Sequence, residues 1–184
     1  MTARGWIGWG LATLAIAVGV HMASVHFLPH FIMHQAMARM GAVNAIHHQP
    51  RVTAESRGVV RPSPDLLYSA CPFDLKDGPL LVTAPVPQET YWSVSVFDAN
   101  TNNIFALNDK QTKENNVTLL ISGPQRANGI QWHRLFNAAG EAHSVASPTM
   151  RGLVLFRTLI SNEKDFAMLD AVRRQATCAL LNKP

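Results

Sequence analysis

The longest pattern in the chain is apolar: from Gly5 to Ala38, 34 residues pass without Asp, Glu, Lys or Arg. About 20 such residues span a bilayer as helix. Trp6 to Leu28 is therefore predicted as a transmembrane span, with Trp6 and Trp9 where aromatic rings favour the interface. Past it the texture changes. Phe31, Ile32, Met33, Ala36, Met37, Met40 and Val43 recur at helical spacing and predict an amphipathic stem, with Pro29 either starting that helix or kinking a longer one. The chain divides into an anchor (1–29), a stem (30–50) and one outer domain (51–184), a length that suits a single unit.

In the outer domain the period shortens to two. Tyr91 to Phe97 alternates so that Trp92, Val94 and Val96 face a core, while Tyr91, Ser93, Ser95 and Phe97 face a cleft or another layer. Leu80–Thr83, Ile104–Leu107, Val117–Ile121, Ile130–Phe136 and Gly152–Leu159 are further candidate strands, separated by Asn-, Gly- and Pro-rich turns. A closing helix is expected after Asn162 as its cap. Glu163 and Asp165 would sit at its positive end and Arg173, Arg174 and Lys183 at its other end, with a buried stripe of Phe166, Leu169, Val172, Ala176 and Leu180. The predicted fold is a transmembrane helix followed by a mainly antiparallel, sandwich-like β-rich domain closed by a C-terminal amphipathic helix.

Charge adds orientation and removes one class of partner. Arg4 and the α-amino group favour a cytoplasmic N-terminus, although Arg39, Arg51 and Arg57 follow the span. A cleaved signal peptide is the rival, but the apolar run continues through Gly19 to Ala23 without a small-residue cleavage triplet. No Cys near its end offers a lipid anchor. From Arg39 onward 15 Lys and Arg face 12 Asp and Glu, a balance of +3 with no basic stripe, so nucleic acid is not an expected partner. Cys71 and Cys178 either form a disulfide, which a periplasmic domain permits, or serve as small core hydrophobes.

Candidate chemistry is sparse. There is no G-x-S-x-G elbow, no phosphate loop followed by lysine and no H-E-x-x-H pair, and His133 and His143 stand outside any ligand cluster. His26, His30 and His34 would share one stripe if the helix continued through Pro29. Such imidazoles either bind a metal or haem or line a polar helix contact, the second being the ordinary role of polar groups in membrane segments. His47 and His48 read as a solvated exit from the helix.

Three blocks, Ser63–Ser69, Phe73–Leu75 and Tyr91–Asn103, together with the later Gly152–Ile160, resemble the domain-of-unknown-function family numbered 1254 across most of Arg51 to Gln175. The resemblance implies a β-rich domain that family members usually carry ahead of a second domain, of the family numbered 1214. It also implies the short, single-span bacterial variety; together with the charge preference at Arg4, the expectation is an inner-membrane protein with its main domain periplasmic. It implies no secure reaction, cofactor or metal.

On the recurring blocks, Asp65, Tyr68, Tyr91, Asp98, Asn102 and Asn103 are candidate ligand-binding residues, with Arg157 offering a donor fork to a carboxylate or phosphate. Structural roles compete at each. Asp98 to Asn103 reads equally as an Asx-held turn, the tyrosines as half-buried walls, and Arg157 as a partner of Asp65 or Asp74. Three functions follow: an accessory subunit binding another membrane or periplasmic protein, with the 1214-type partner as the candidate the resemblance implies; half of a split small-molecule-binding or hydrolytic enzyme; or a histidine-ligated cofactor subunit. Membrane lipid is a partner in all three.

Overall fold

The computed structural model describes residues 3–56, 61–112, 114–124 and 142–181. The predicted strand Ile130–Phe136 and His133 lie outside the described residues, as do Arg57 and Lys183.

The chain opens with one helix, α1 (Ala3–Met40), of 38 residues, with Pro29 inside it. At 1.5 Å per residue it is about 57 Å long. It is long and apolar enough to cross a membrane, and as an N-terminal apolar helix it also has the composition of a signal sequence. Of the two roles expected for Pro29, it does not start a new helix but lies within a longer one. Proline removes one N–H and leaves the carbonyl four residues back without its helical donor, and the turns on either side carry the helix past it. The helix ends where Gly41 takes φ +103°, a left-handed conformation that glycine enters without a Cβ clash.

Asn44, also left-handed at φ 57°, then ties the chain back. Its amide donates to Pro72 O at 2.7 Å, its Nδ2 donates to Asp74 O at 3.0 Å, and Asp74 N donates to its Oδ1 at 2.9 Å. The chain passes through β1 (His47–His48) into β2 (Leu66–Asp74), β3 (Leu80–Pro85), β4 (Trp92–Asp98), β5 (Asn103–Asn108), β6 (Asn116–Ser122), β7 (Ala142–Ala146) and β8 (Arg151–Leu159). Among the described residues these strands and a last one, β9 (Thr177–Leu180), form two sheets, β1-β2-β8-β4-β5 (sheet A) and β7-β6-β3-β9 (sheet B). Their pairs are antiparallel except β6 with β7, which is parallel.

One core is drawn from both sheets: Cys71, Phe73, Trp92, Val94, Val96, Val154 and Phe156 of sheet A meet Leu80, Val82, Val117, Leu119, Ile121 and Cys178 of sheet B. The alternation read in Tyr91–Phe97 holds, with Trp92, Val94 and Val96 at most 3% exposed. Cys71 and Cys178 are joined in a disulfide that bridges the two sheets.

The C-terminal segment departs from expectation. Asn162 does cap, its Oδ1 accepting Lys164 N at 3.1 Å, and a 3-10 turn at Glu163–Asp165 leads into a helix, α2 (Phe166–Arg173). The helix stops there, and Cys178 and Leu180 lie in β9. Ala176 and Leu180 are four residues apart, a spacing that returns to the same face in a helix and in a strand alike. Burial of Ala176 and Cys178 beside exposed Thr177 and Ala179 has period two, so the strand is the form adopted.

The outer face of sheet A is partly covered by the end of α1. Met33 and its neighbours Met37 and Met40 pack on Ala70, Leu153, Leu155 and Phe97. Within sheet A, Gly152 leaves room for the β4 backbone and the core ring of Phe73, since a Cβ there would stand 2.2 Å from Phe97 O and 2.5 Å from Phe73 Cζ.

Candidate functional site

The candidate residues divide between the two ends of sheet A. At one end, Asp65 is exposed and its carbonyl accepts Ile160 N at 2.8 Å, while the carbonyl of Tyr91 accepts Leu159 N at 2.8 Å. Tyr68 and Arg157 are directly opposite in the β2–β8 ladder, and Arg157 is opposite Ser93 in the β8–β4 ladder. At the other end, Asp98 pairs with Gly152. Five residues of strand separate Ser93 from Asp98, about 16 Å at 3.3 Å per residue, so the candidate residues do not converge on one concavity.

The Asp98 end is a locked turn. Asp98 is 1% exposed. Its Oδ1 accepts Asn100 N at 2.8 Å and Asn102 N at 2.9 Å, and its Oδ2 accepts Asn102 Nδ2 at 2.9 Å. Thr101 takes φ 66°. Asn103, with its carboxamide nitrogen toward the chain, spans the bulge at Val96/Phe97 by donating to Phe105 O at 2.7 Å. These side chains satisfy backbone groups, as an Asx turn does.

Arg157 does not pair with Asp65 or Asp74. Asp74, 5% exposed, is taken by Arg151, whose Nε donates to its Oδ2 at 2.9 Å. That pairing needed the β2–β8 register, in which Asp74 faces Arg151. Arg157 reaches Ser95 Oγ from Nη2 at 3.2 Å, and its buried Nε has no protein partner. Ser93 Oγ beside it is likewise buried without a protein partner. Tyr68 Oη accepts Ser63 N at 2.9 Å.

A narrow crevice opens where the sheets part, bordered by Ser69, Pro85, Val86, Trp92, Phe156 and Arg173. Arg173, expected at a solvated helix end, is 7% exposed. It donates from Nε to Asp170 Oδ1 at 2.7 Å, from Nη1 to Tyr68 O at 2.6 Å and from Nη2 to Gln49 O at 2.9 Å. It is a clasp between α2, β2 and the segment after β1. Burial pushes Asp170 upward, but hydrogen bonds from Arg174 and Arg173 outweigh it and hold the carboxyl below its ordinary value. His48, no solvated exit, shares a 2.9 Å hydrogen bond with Ser69 Oγ. Burial, then the charges of Arg173 and Arg174, keep it below its ordinary value. No sequence signal marks either role, because both depend on contacts far along the chain.

The histidine stripe exists as geometry, since α1 is continuous, and the His26 and His30 rings stand 6.2 Å apart. Among the described residues no group of three His, Cys, Asp or Glu side chains is placed to hold a metal ion.

The family model described as protein of unknown function (DUF1254) matches residues 43–179, from the turn after α1 to β9. The chain belongs to this family. No curated protein matches it. Of solved structures, it is similar to the VPA0106 protein from Vibrio parahaemolyticus, with TM-score 0.62 and 15% identity, covering 86% of this chain and 35% of that one. An uncharacterized protein from Burkholderia cenocepacia matches with TM-score 0.46 and 15% identity, over 91% of this chain and 42% of that one. At this identity the first likeness shows the fold alone. The chain spans about a third of the length of VPA0106.

Proposed function

We propose that this protein is a single-pass, membrane-anchored envelope protein of the bacterial inner membrane. In this reading its sandwich-like domain lies on the periplasmic side as an accessory subunit for another membrane or periplasmic protein. The observation that carries the reading is the path of α1. Its residues up to Ile32 are exposed apart from half-buried Gly5 and Pro29, and Met33 and Ala36, the next turn, are buried against the domain. About 45 Å of helix precedes the first buried residue, enough for the hydrocarbon core and its interfaces. A domain packed directly onto the end of its own span is held beside the bilayer and presents its remaining surface to proteins in the same plane.

The Cys71–Cys178 disulfide supports an oxidising compartment, and Arg4 supports a cytoplasmic N-terminus. A partner carrying a 1214-type domain is the occupant that family resemblance implies. The test is purification from membranes in mild detergent after brief crosslinking, with a periplasmic topology reporter fused after residue 181. A stoichiometric second envelope protein is expected. A lone, monodisperse chain, or a reporter active on the cytoplasmic side, refutes the proposal.

A further inference from the structure

We infer that the outer face of sheet A carries an oxyanion-binding site built from Tyr68, Arg157 and Ser93, which takes the carboxylate or phosphate group of a small ligand. The inference goes beyond the docking role and does not depend on it. The three residues form one row across β2, β8 and β4, consecutive partners in the two ladders. Their side chains therefore stand on the same face, about 5 Å apart at Cβ.

The row is rich in donors. Arg157 is half-buried; it uses one Nη2 hydrogen on Ser95 Oγ, its buried Nε has no protein partner, and among the described residues nothing else accepts from its fork. Ser93 is 5% exposed and its Oγ has no protein partner. Tyr68 Oη accepts from Ser63 N, so its own proton is free to donate outward. Among the described residues no carboxylate forms an ion pair with Arg157. Arg151, on the same face of the same strand six residues away, is neutralised by Asp74.

A guanidinium fork flanked by two hydroxyls matches the planar or tetrahedral oxygens of an oxyanion. The neighbouring row contains Ala70 and Leu155, packed against the docked end of α1, which gives the ligand an apolar wall.

The test uses the full-length protein in nanodiscs of uncharged lipid, titrated calorimetrically with inorganic phosphate and with citrate. Saturable binding is expected, weakened about tenfold or more by Arg157→Gln, several-fold by Ser93→Ala, and unchanged by Arg151→Gln. Nanodiscs containing phosphatidylglycerol separate the sources of the oxyanion: loss of citrate binding there assigns the site to a lipid phosphate, and retention assigns it to a soluble ligand. If Arg157→Gln fails to fold by near-ultraviolet circular dichroism, Arg157→Lys and Ser93→Ala decide. Absence of saturable binding by the wild type, or equal weakening by Arg151→Gln, overturns the inference.

Discussion

Reducing the Cys71–Cys178 bond opens a loop closed over 107 residues and unties β2 of sheet A from β9 of sheet B. In the chain-entropy description, a loop of that length removes about 16 cal/mol/K from the unfolded ensemble, or about 4.8 kcal/mol at 25 °C. Reduction deletes no atoms, so the core around Cys71, 0% exposed, and Cys178, 8% exposed, keeps its packing. The assay is urea unfolding of the detergent-solubilised protein with and without reductant, followed by near-ultraviolet circular dichroism, with the Cys71→Ala/Cys178→Ala double variant beside it. With a slope of about 2 kcal/mol/M, the midpoint falls by about 2.4 M. A shift below about 0.5 M would refute the reasoning, since the native loop would then constrain nothing that the unfolded chain samples.

Gly152→Ala places a Cβ against the Phe97 carbonyl, which cannot swing aside, and is expected to cost about 3 kcal/mol or more, seen as a lowered melting temperature. Arg173→Leu removes three anchoring hydrogen bonds from a buried site and should destabilise by about 2–4 kcal/mol, whereas Arg174→Ala, on the exposed neighbour, should cost under about 1 kcal/mol in the same denaturation series. His48 is held below its ordinary 6.5 by burial and then by Arg173 and Arg174, so the unfolded chain takes up the proton first. Stability should fall as pH drops through 6.5 and level off below the folded value. His48→Gln should flatten that step in melting curves between pH 8 and 5, and an unchanged slope refutes it. A second loss follows as pH falls from the ordinary 3.8 through the lower folded value of Asp170, and His48→Gln should leave it intact.

Several features were legible because they depend on short windows. The absence of charge from Gly5 to Ala38 requires a long apolar helix, and the alternation around Trp92 requires a strand with one face in a core. Asp98 with Asn102 is a local turn whose partners lie within four residues. Other features were not legible, each for a physical reason. β2 shows little alternation because its inner face meets the core while its outer face is covered in part by α1. Ala176 and Leu180 satisfy helix and strand spacing equally, and pairing with β3 decided between them. His48, Arg151 and Arg173 carry ordinary surface letters, yet each has a partner more than 20 residues away.

The sequence by itself determined the apolar helix, the β-rich character of the domain and its DUF1254 membership, since all three are written in local pattern and ordered blocks. The tertiary structure alone decided that the helix docks on sheet A, that Cys71 meets Cys178, and that Asp74 is neutralised by Arg151 while Arg157 keeps uncommitted donors. Those outcomes turn on strand register, in which a shift of one residue moves every side chain to the other face.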